Sequence, residues 1–102
     1  MASTFKNYTS SSVGTTPVTI YTVPASTTSV TIGLSLANVT ASQVTVDVQV
    51  AGVYVIKAAP IPAGSALSVL DGKIILEAAD VLEVTSSAAS SVDVILSVLE
   101  QS

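Results

Sequence analysis

The sequence predicts an all-β fold: a single antiparallel β-sandwich of about eight short strands, Ig-like or jelly-roll-like. Three observations carry this. Apolar residues alternate with Ser and Thr in short runs, as in "SVTIGLSLAN" (29–38) and "VTVDVQV" (44–50), and a period of two marks strands with one buried face. Gly, Pro and Asp turn signals punctuate the chain at roughly 8–12-residue spacing, the sandwich rhythm. Val occurs 17 times and Ser plus Thr fill 28 of 102 positions, a composition that suits pleated sheets rather than helices. A chain of this length builds one domain with one core.

Residues 1–16 hold only Phe5, Tyr8 and Val13 as large apolar groups. Such a segment buries too little surface to offset its ordering entropy, so it reads as a flexible N-terminal arm ahead of a domain at 17–102. Its two aromatics either anchor it on a neighbour or belong to a frayed terminus. "PVTIYTVP" (17–24) is a short strand bracketed by prolines, which suits a sheet edge. The next run puts Val30, Ile32, Leu34 and Leu36 on one face. "QVTVDVQVAGVYVIKAAPIP" (43–62) is a hairpin turning at Ala51-Gly52, with Val50 opposite Val53 and Val48 opposite Val55. Asp71-Gly72 marks a second hairpin of type I′, in which Leu67, Val69, Ile74 and Leu76 share a face. "VLEVTSS" (81–87) and "SVDVILSVLE" (91–100) complete the set.

Opposite these core stripes lie Tyr21, Val23, Tyr54, Ile56, Leu70, Ile75, Ile95 and Leu99. An exposed antiparallel face is normally polar, so apolar residues there are covered either by loops or by other subunits. Only ten residues are charged, few for the surface of a lone domain, which favours subunits. Phe5, Tyr8, Tyr21, Tyr54, Ile56, Leu70, Ile75 and Ile95 are therefore the candidate interface residues.

No catalytic, cofactor-binding or metal-ligating set emerges. The chain has no His, Arg, Cys or Trp, which removes His-based nucleophilic catalysis and thiolate metal sites. Lys57 lies at a strand end, where snorkelling to solvent is expected. The carboxylates are dispersed; Glu77, Asp80 and Glu83 gather round one turn without any calcium-loop spacing. Three lysines against seven carboxylates give no basic footprint for nucleic acid. No apolar run approaches a membrane helix, and the N-terminus carries no signal-peptide pattern.

Two stretches, "IYTVPASTTSVTIGLSLANVTASQVTVDVQV" (20–50) and "KAAPIPAGSALSVLDGKIILEAADVLEVTSSAASSVDVILSVLE" (57–100), resemble a family of small virion structural proteins of tailed bacteriophages, especially those of cyanobacteria. Members read Tyr-Thr-Val-Pro-Ala at the first strand, then Pro-Ile-Pro-Ala-Gly, a hairpin and a Leu-x-x-Gly-Asp turn. Here Ala79 stands where that turn has glycine, which speaks against a positive φ. The resemblance implies a non-enzymatic protein made in the host cytoplasm and carried in the virion. The role it implies first is capsid cement (decoration), as a homotrimer on the major capsid protein. A neck or head–tail joining protein, or a tail-appendage piece such as a carbohydrate-binding module, are the alternatives. The implied partners are major capsid protein or neck proteins, without nucleic acid, membrane or cofactor.

Overall fold

The computed structural model describes residues 3–68 and 74–101. These form nine strands: β1 (Ser3–Val13), β2 (Val18–Thr22), β3 (Thr28–Asn38), β4 (Val44–Val50), β5 (Val53–Ile61), β6 (Ala66–Ser68), β7 (Ile75–Leu76), β8 (Val81–Ser86) and β9 (Val92–Gln101). One sheet has the order β1-β9-β3, with β6 and β7 both on the far edge of β3; the other has the order β2-β8-β4-β5. All pairings are antiparallel. The all-β sandwich read from the sequence is the fold observed.

Its topology is a nested hairpin rolled on itself. β4 pairs β5 at the centre, β3 pairs β6 and β7 around it, β2 pairs β8, and β1 pairs β9 outermost. This is the jelly-roll arrangement among the two the sequence allowed. Leu36, Leu96, Leu82, Val46, Val48 and Val84, each at most 1% exposed, fill the space between the sheets.

Residues 3–13 are a strand and not a free arm. β1 runs beside β9 from Ser3↔Gln101 to Val13↔Val92, with a bulge between Ser10 and Val13. Its polar composition misleads because an edge strand has one ladder to satisfy and can present Ser and Thr to water. Tyr8 is half-buried and Val13 fully buried, which is enough apolar anchorage when β9 supplies the other half of the core.

The turn expected at Asp71-Gly72 lies outside the described residues, as does Leu70. The strands on either side are fixed, however. β6 and β7 both run antiparallel to β3, with Leu67↔Leu36 and Ile75↔Val30. They therefore run in the same direction along one edge and do not pair as the two arms of a hairpin. The Ala51-Gly52 hairpin is as expected, with φ of 51° and 80° at the turn and Val50 facing Val53, the positive-φ pair a tight twisted turn requires.

Bulges move several residues to the face opposite the one their alternation predicts. In β3 the extra residue is Ile32, between Thr31↔Val98 and Gly33↔Ser97. Leu34 and Leu36 point inward, whereas Val30 and Ile32 turn out and Ser29 and Thr31 turn in. In β2 a bulge between Thr19 and Tyr21 buries both Ile20 and Tyr21. In β5 two irregularities pair Val48 with Ile56 rather than Val55. Ala58, at φ 54°, donates its N–H to Asp47 Oδ1 at 2.7 Å beside them.

Ala79 does take the glycine conformation, at φ 71°. Its N–H donates to Val23 O (3.0 Å), Asp80 N–H to Glu77 O (3.0 Å), and Glu77 N–H to Asp80 Oδ2 (2.9 Å), so the turn is held from several sides. An L-residue there costs roughly 1–2 kcal/mol, and glycine loses roughly 0.5–1 kcal/mol of chain entropy in return. Ala79→Gly is expected to stabilise the protein by about 0.5–1 kcal/mol, read as a raised melting temperature; a lowered one would refute the strain.

Candidate functional site

The outer face of the first sheet carries an apolar row built from one residue of each strand column. Phe5 stands opposite Leu99, Leu99 opposite Val30, and Val30 opposite Ile75. Directly opposed side chains in antiparallel strands touch along such a row. Phe5 is 75% and Ile75 65% exposed, so both ends of the row stand in water. Ile32, turned outward by its bulge, and Ile95 add to the same face.

Next to this row lies an open trough of about 650 Å³, lined by Phe5, Lys6, Asn7, Ile32, Ser97 and Val98. Asn7, Ser97 and Gly33 sit opposite one another across β1, β9 and β3, in a row bounded on one side by the apolar row and on the other by Thr9, Ile95 and Ser35. The surface thus has a ridge and a hollow side by side.

Behind the face, a buried cluster ties β1 to the body of the protein. Glu100, 8% exposed, accepts at Oε2 from Tyr8 OH (2.7 Å) and Tyr21 OH (2.5 Å). The Tyr21 hydroxyl also accepts from Ser29 Oγ, and Lys6 Nζ lies 3.4 Å from Oε1. The two tyrosine rings stack with centroids 4.3 Å apart. Hydrogen bonds from Tyr21 first, then Tyr8 and Lys6, hold the Glu100 carboxyl below the usual carboxylate range against the opposing pull of burial. Burial, with the bond to Glu100 second, pushes Tyr21 up to about 12 and also raises Tyr8. Four strands from both sheets meet here: β1, β2, β3 and β9.

The eight candidate interface residues therefore separate. Phe5, Ile75 and Ile95 are exposed on the outer face of the first sheet. Tyr54 is 46% exposed on the second sheet, with the Lys57 ammonium 4.3 Å from its ring centre. Tyr21 is buried at 3%, and Tyr8 is half-buried against it. Ile56 packs against the core opposite Val48, so these three are not free surface groups. Val23, set on the outer face with them, is also buried, at 2%. The bulges in β2 and β5 are the reason for Tyr21 and Ile56; for Tyr8 it is the pairing of β1 with β9. Val30 and Ile32, counted as core from their alternation, are the outer-face residues that alternation conceals. Glu100 read as one dispersed carboxylate because its partner Tyr8 is 92 residues away.

Among the described residues, no group of three or more Asp and Glu is placed to hold a metal ion. Asn38, in one of two Asn-x-Thr triplets (Asn7 and Asn38), is 2% exposed. Its amide donates to Ser42 O (2.8 Å) and Ile61 O (2.9 Å) and accepts from Thr40 N (2.9 Å), so it pins the loop between β3 and β4.

Neither a protein-family model nor a curated protein matches the sequence. Among solved structures, the fold is similar to that of a chain from Bacillus endospore appendages, described as a novel family of disulfide-linked pili. The TM-score is 0.55 at 15% identity, covering 99% of this chain and 87% of that one. At that identity the likeness is one of fold.

Proposed function

We propose that this protein is a non-enzymatic structural subunit that works by assembly, with the outer face of its first sheet as the contact surface. The observation that carries this is the row Phe5–Leu99–Val30–Ile75, apolar across the whole sheet and exposed at both ends. Each large apolar side chain left in water forgoes roughly 1.5–3 kcal/mol of burial, which a subunit contact recovers. More specifically, it is a virion protein: a capsid cement protein, trimeric on the major capsid protein, as the sequence resemblance implies. Closed symmetry repeats one patch in every copy, and a single apolar face meets that need. For the carbohydrate-module alternative, Tyr8 and Tyr21 stack on each other inside, which leaves Phe5 and the Lys57-capped Tyr54 as the exposed aromatics.

Ile75→Asp and Phe5→Asp test the face. Both side chains are mostly in solvent, so each variant should fold and melt like the parent while losing the assembled state in light scattering. Unchanged assembly in both variants would sink the proposed surface. Labelling of particles then separates the finer roles: copies spread over the head mean cement, and a few copies at one vertex mean neck or tail. A second reading, an open filament, is supported by the likeness in fold to a pilus chain. It predicts that the purified protein forms fibres by electron microscopy, where cement forms closed oligomers.

A further inference from the structure

We propose that β1 exchanges between copies of this chain, leaving its own β9 and pairing with β9 of a second copy to give a strand-swapped dimer. Among the described residues β1 is the first strand and lies at the edge of its sheet, with β9 as its ladder partner. Two carboxylates of β9 hold its ends. Glu100 takes Lys6 and Tyr8, and Asp93 Oδ1 accepts from Ser12 N at 2.9 Å. The apolar hold toward the core is Tyr8 and Val13, with Phe5 opposite Leu99 on the outer face.

The link to the rest of the chain favours opening. β1 and β2 belong to different sheets, and residues 14–17 alone make the crossing. Ser12 sits at φ 58°, beside the bulge between Ser10 and Val13, a left-handed conformation that a non-glycine residue adopts under constraint. Pro17 biases Thr16 toward an extended backbone. A straightened hinge over residues 14–17 suits Pro17, and a short hinge is what makes exchange favourable, while the bulge at Ser12 re-forms on the second copy's β9. The occupant of a vacated β9 is a second copy's β1, because that segment alone brings back Tyr8 and Val13 in register with Leu96 and Val92, and Lys6 within reach of Glu100.

Charge at the latch governs the exchange. The groups bonded to Glu100 are Lys6 and Tyr8 from β1, Tyr21 from β2 and, through Tyr21, Ser29 from β3. Protonating Glu100 removes the ion pair with Lys6 and weakens the bond from Tyr8. Exchange is therefore faster in acid.

Asn7 and Ser97 face each other across β1 and β9, and the chain has no cysteine. In the double variant Asn7→Cys with Ser97→Cys, a disulfide reports which chain β1 lies on. After incubation at about pH 3, below the ordinary Glu range, and return to neutral pH under oxidation, a non-reducing denaturing gel should show a dimer-mass band. Without the acid step the band should be several-fold weaker. Mixing the two single variants checks the same point without depending on the double one: a mixed disulfide that appears after acid and persists with Ile75→Asp places β1 of one copy on β9 of the other. Ile75→Asp in the same background should leave the band unchanged, which separates exchange from contact through the apolar face. Glu100→Gln should raise it without acid. Dimers that run as single chains on the gel, or no mixed disulfide after acid, would overturn the proposal.

Discussion

Removing residues 1–12 is expected to lower stability by about 3–5 kcal/mol, more than the loss of any one side chain of the latch. Eight of the nine register pairs between β1 and β9 go with the segment. The ladder bonds themselves add little, because roughly 0.5–1.5 kcal/mol per bond is offset by roughly 1–2 kcal/mol per ordered residue. The loss comes from two other places. Tyr8 no longer stacks on Tyr21, and Glu100 is left nearly buried with neither Lys6 nor Tyr8. A partly buried carboxylate that keeps Tyr21 alone of its three partners loses roughly 1–3 kcal/mol. For a domain whose total stability is of order 5–15 kcal/mol, that brings unfolding close to working temperature. Urea unfolding of the truncated chain measures it. A midpoint equal to the parent's would mean that residues 1–12 are an arm after all.

Glu100→Ala is expected to cost about 2–4 kcal/mol, leaving the Tyr8 hydroxyl without its acceptor and Tyr21 with Ser29 Oγ alone. Glu100→Gln keeps an acceptor oxygen and should cost roughly half as much, since bonds to a charged group are about twice as strong as neutral ones. The pH dependence has a definite sign. The folded carboxyl sits below its ordinary 4.5, so its contribution is present above the ordinary value and is lost as pH falls through the folded one. Tyr21 is raised from 10.0 to about 12, so its contribution is complete below 10 and is lost as pH rises through 12. Stability should form a plateau between the two, and Glu100→Gln should flatten the acid limb and also soften the alkaline one, because Glu100 helps raise Tyr21. An acid limb of unchanged steepness in that variant would assign it to other carboxylates.

Elements with local signals were legible. The Ala51-Gly52 turn declares itself because two adjacent small residues can take positive φ, and the pairing of Val50 with Val53 comes from loop length. Pro17 and Pro24 bracket β2, which is an edge strand, because proline cannot donate to an inner ladder. Ile75 and Ile95 are exposed, on the face opposite the core stripes that alternation marks. Ile56, Tyr21 and Ile32 depart from alternation, because each lies at or just beyond a bulge and one extra residue inverts the facing of the residues beyond it. The Asp71-Gly72 signal is real turn chemistry, yet the flanking strands both pair with β3. Ala79 adopts the left-handed conformation because Val23, Glu77 and Asp80 hold the turn around it.

By itself the sequence determined that this protein is an all-β sandwich, where most of its turns fall, and that its surface is short of charge. Those depend on period-two patterning, Gly and Pro geometry and composition, which act over a few residues. The tertiary structure alone decided that Ser3–Val13 is a strand, that Glu100 binds Tyr8 and Tyr21, and that Phe5, Leu99, Val30 and Ile75 form one row. Each of these joins residues far apart in the chain, 92 positions for Tyr8 and Glu100 and 79 for Tyr21 and Glu100. Pairing the first strand with the last supplies a partner that neither segment's own sequence can announce, since the ladder bonds and side-chain anchors that order β1 come from residues at the other end.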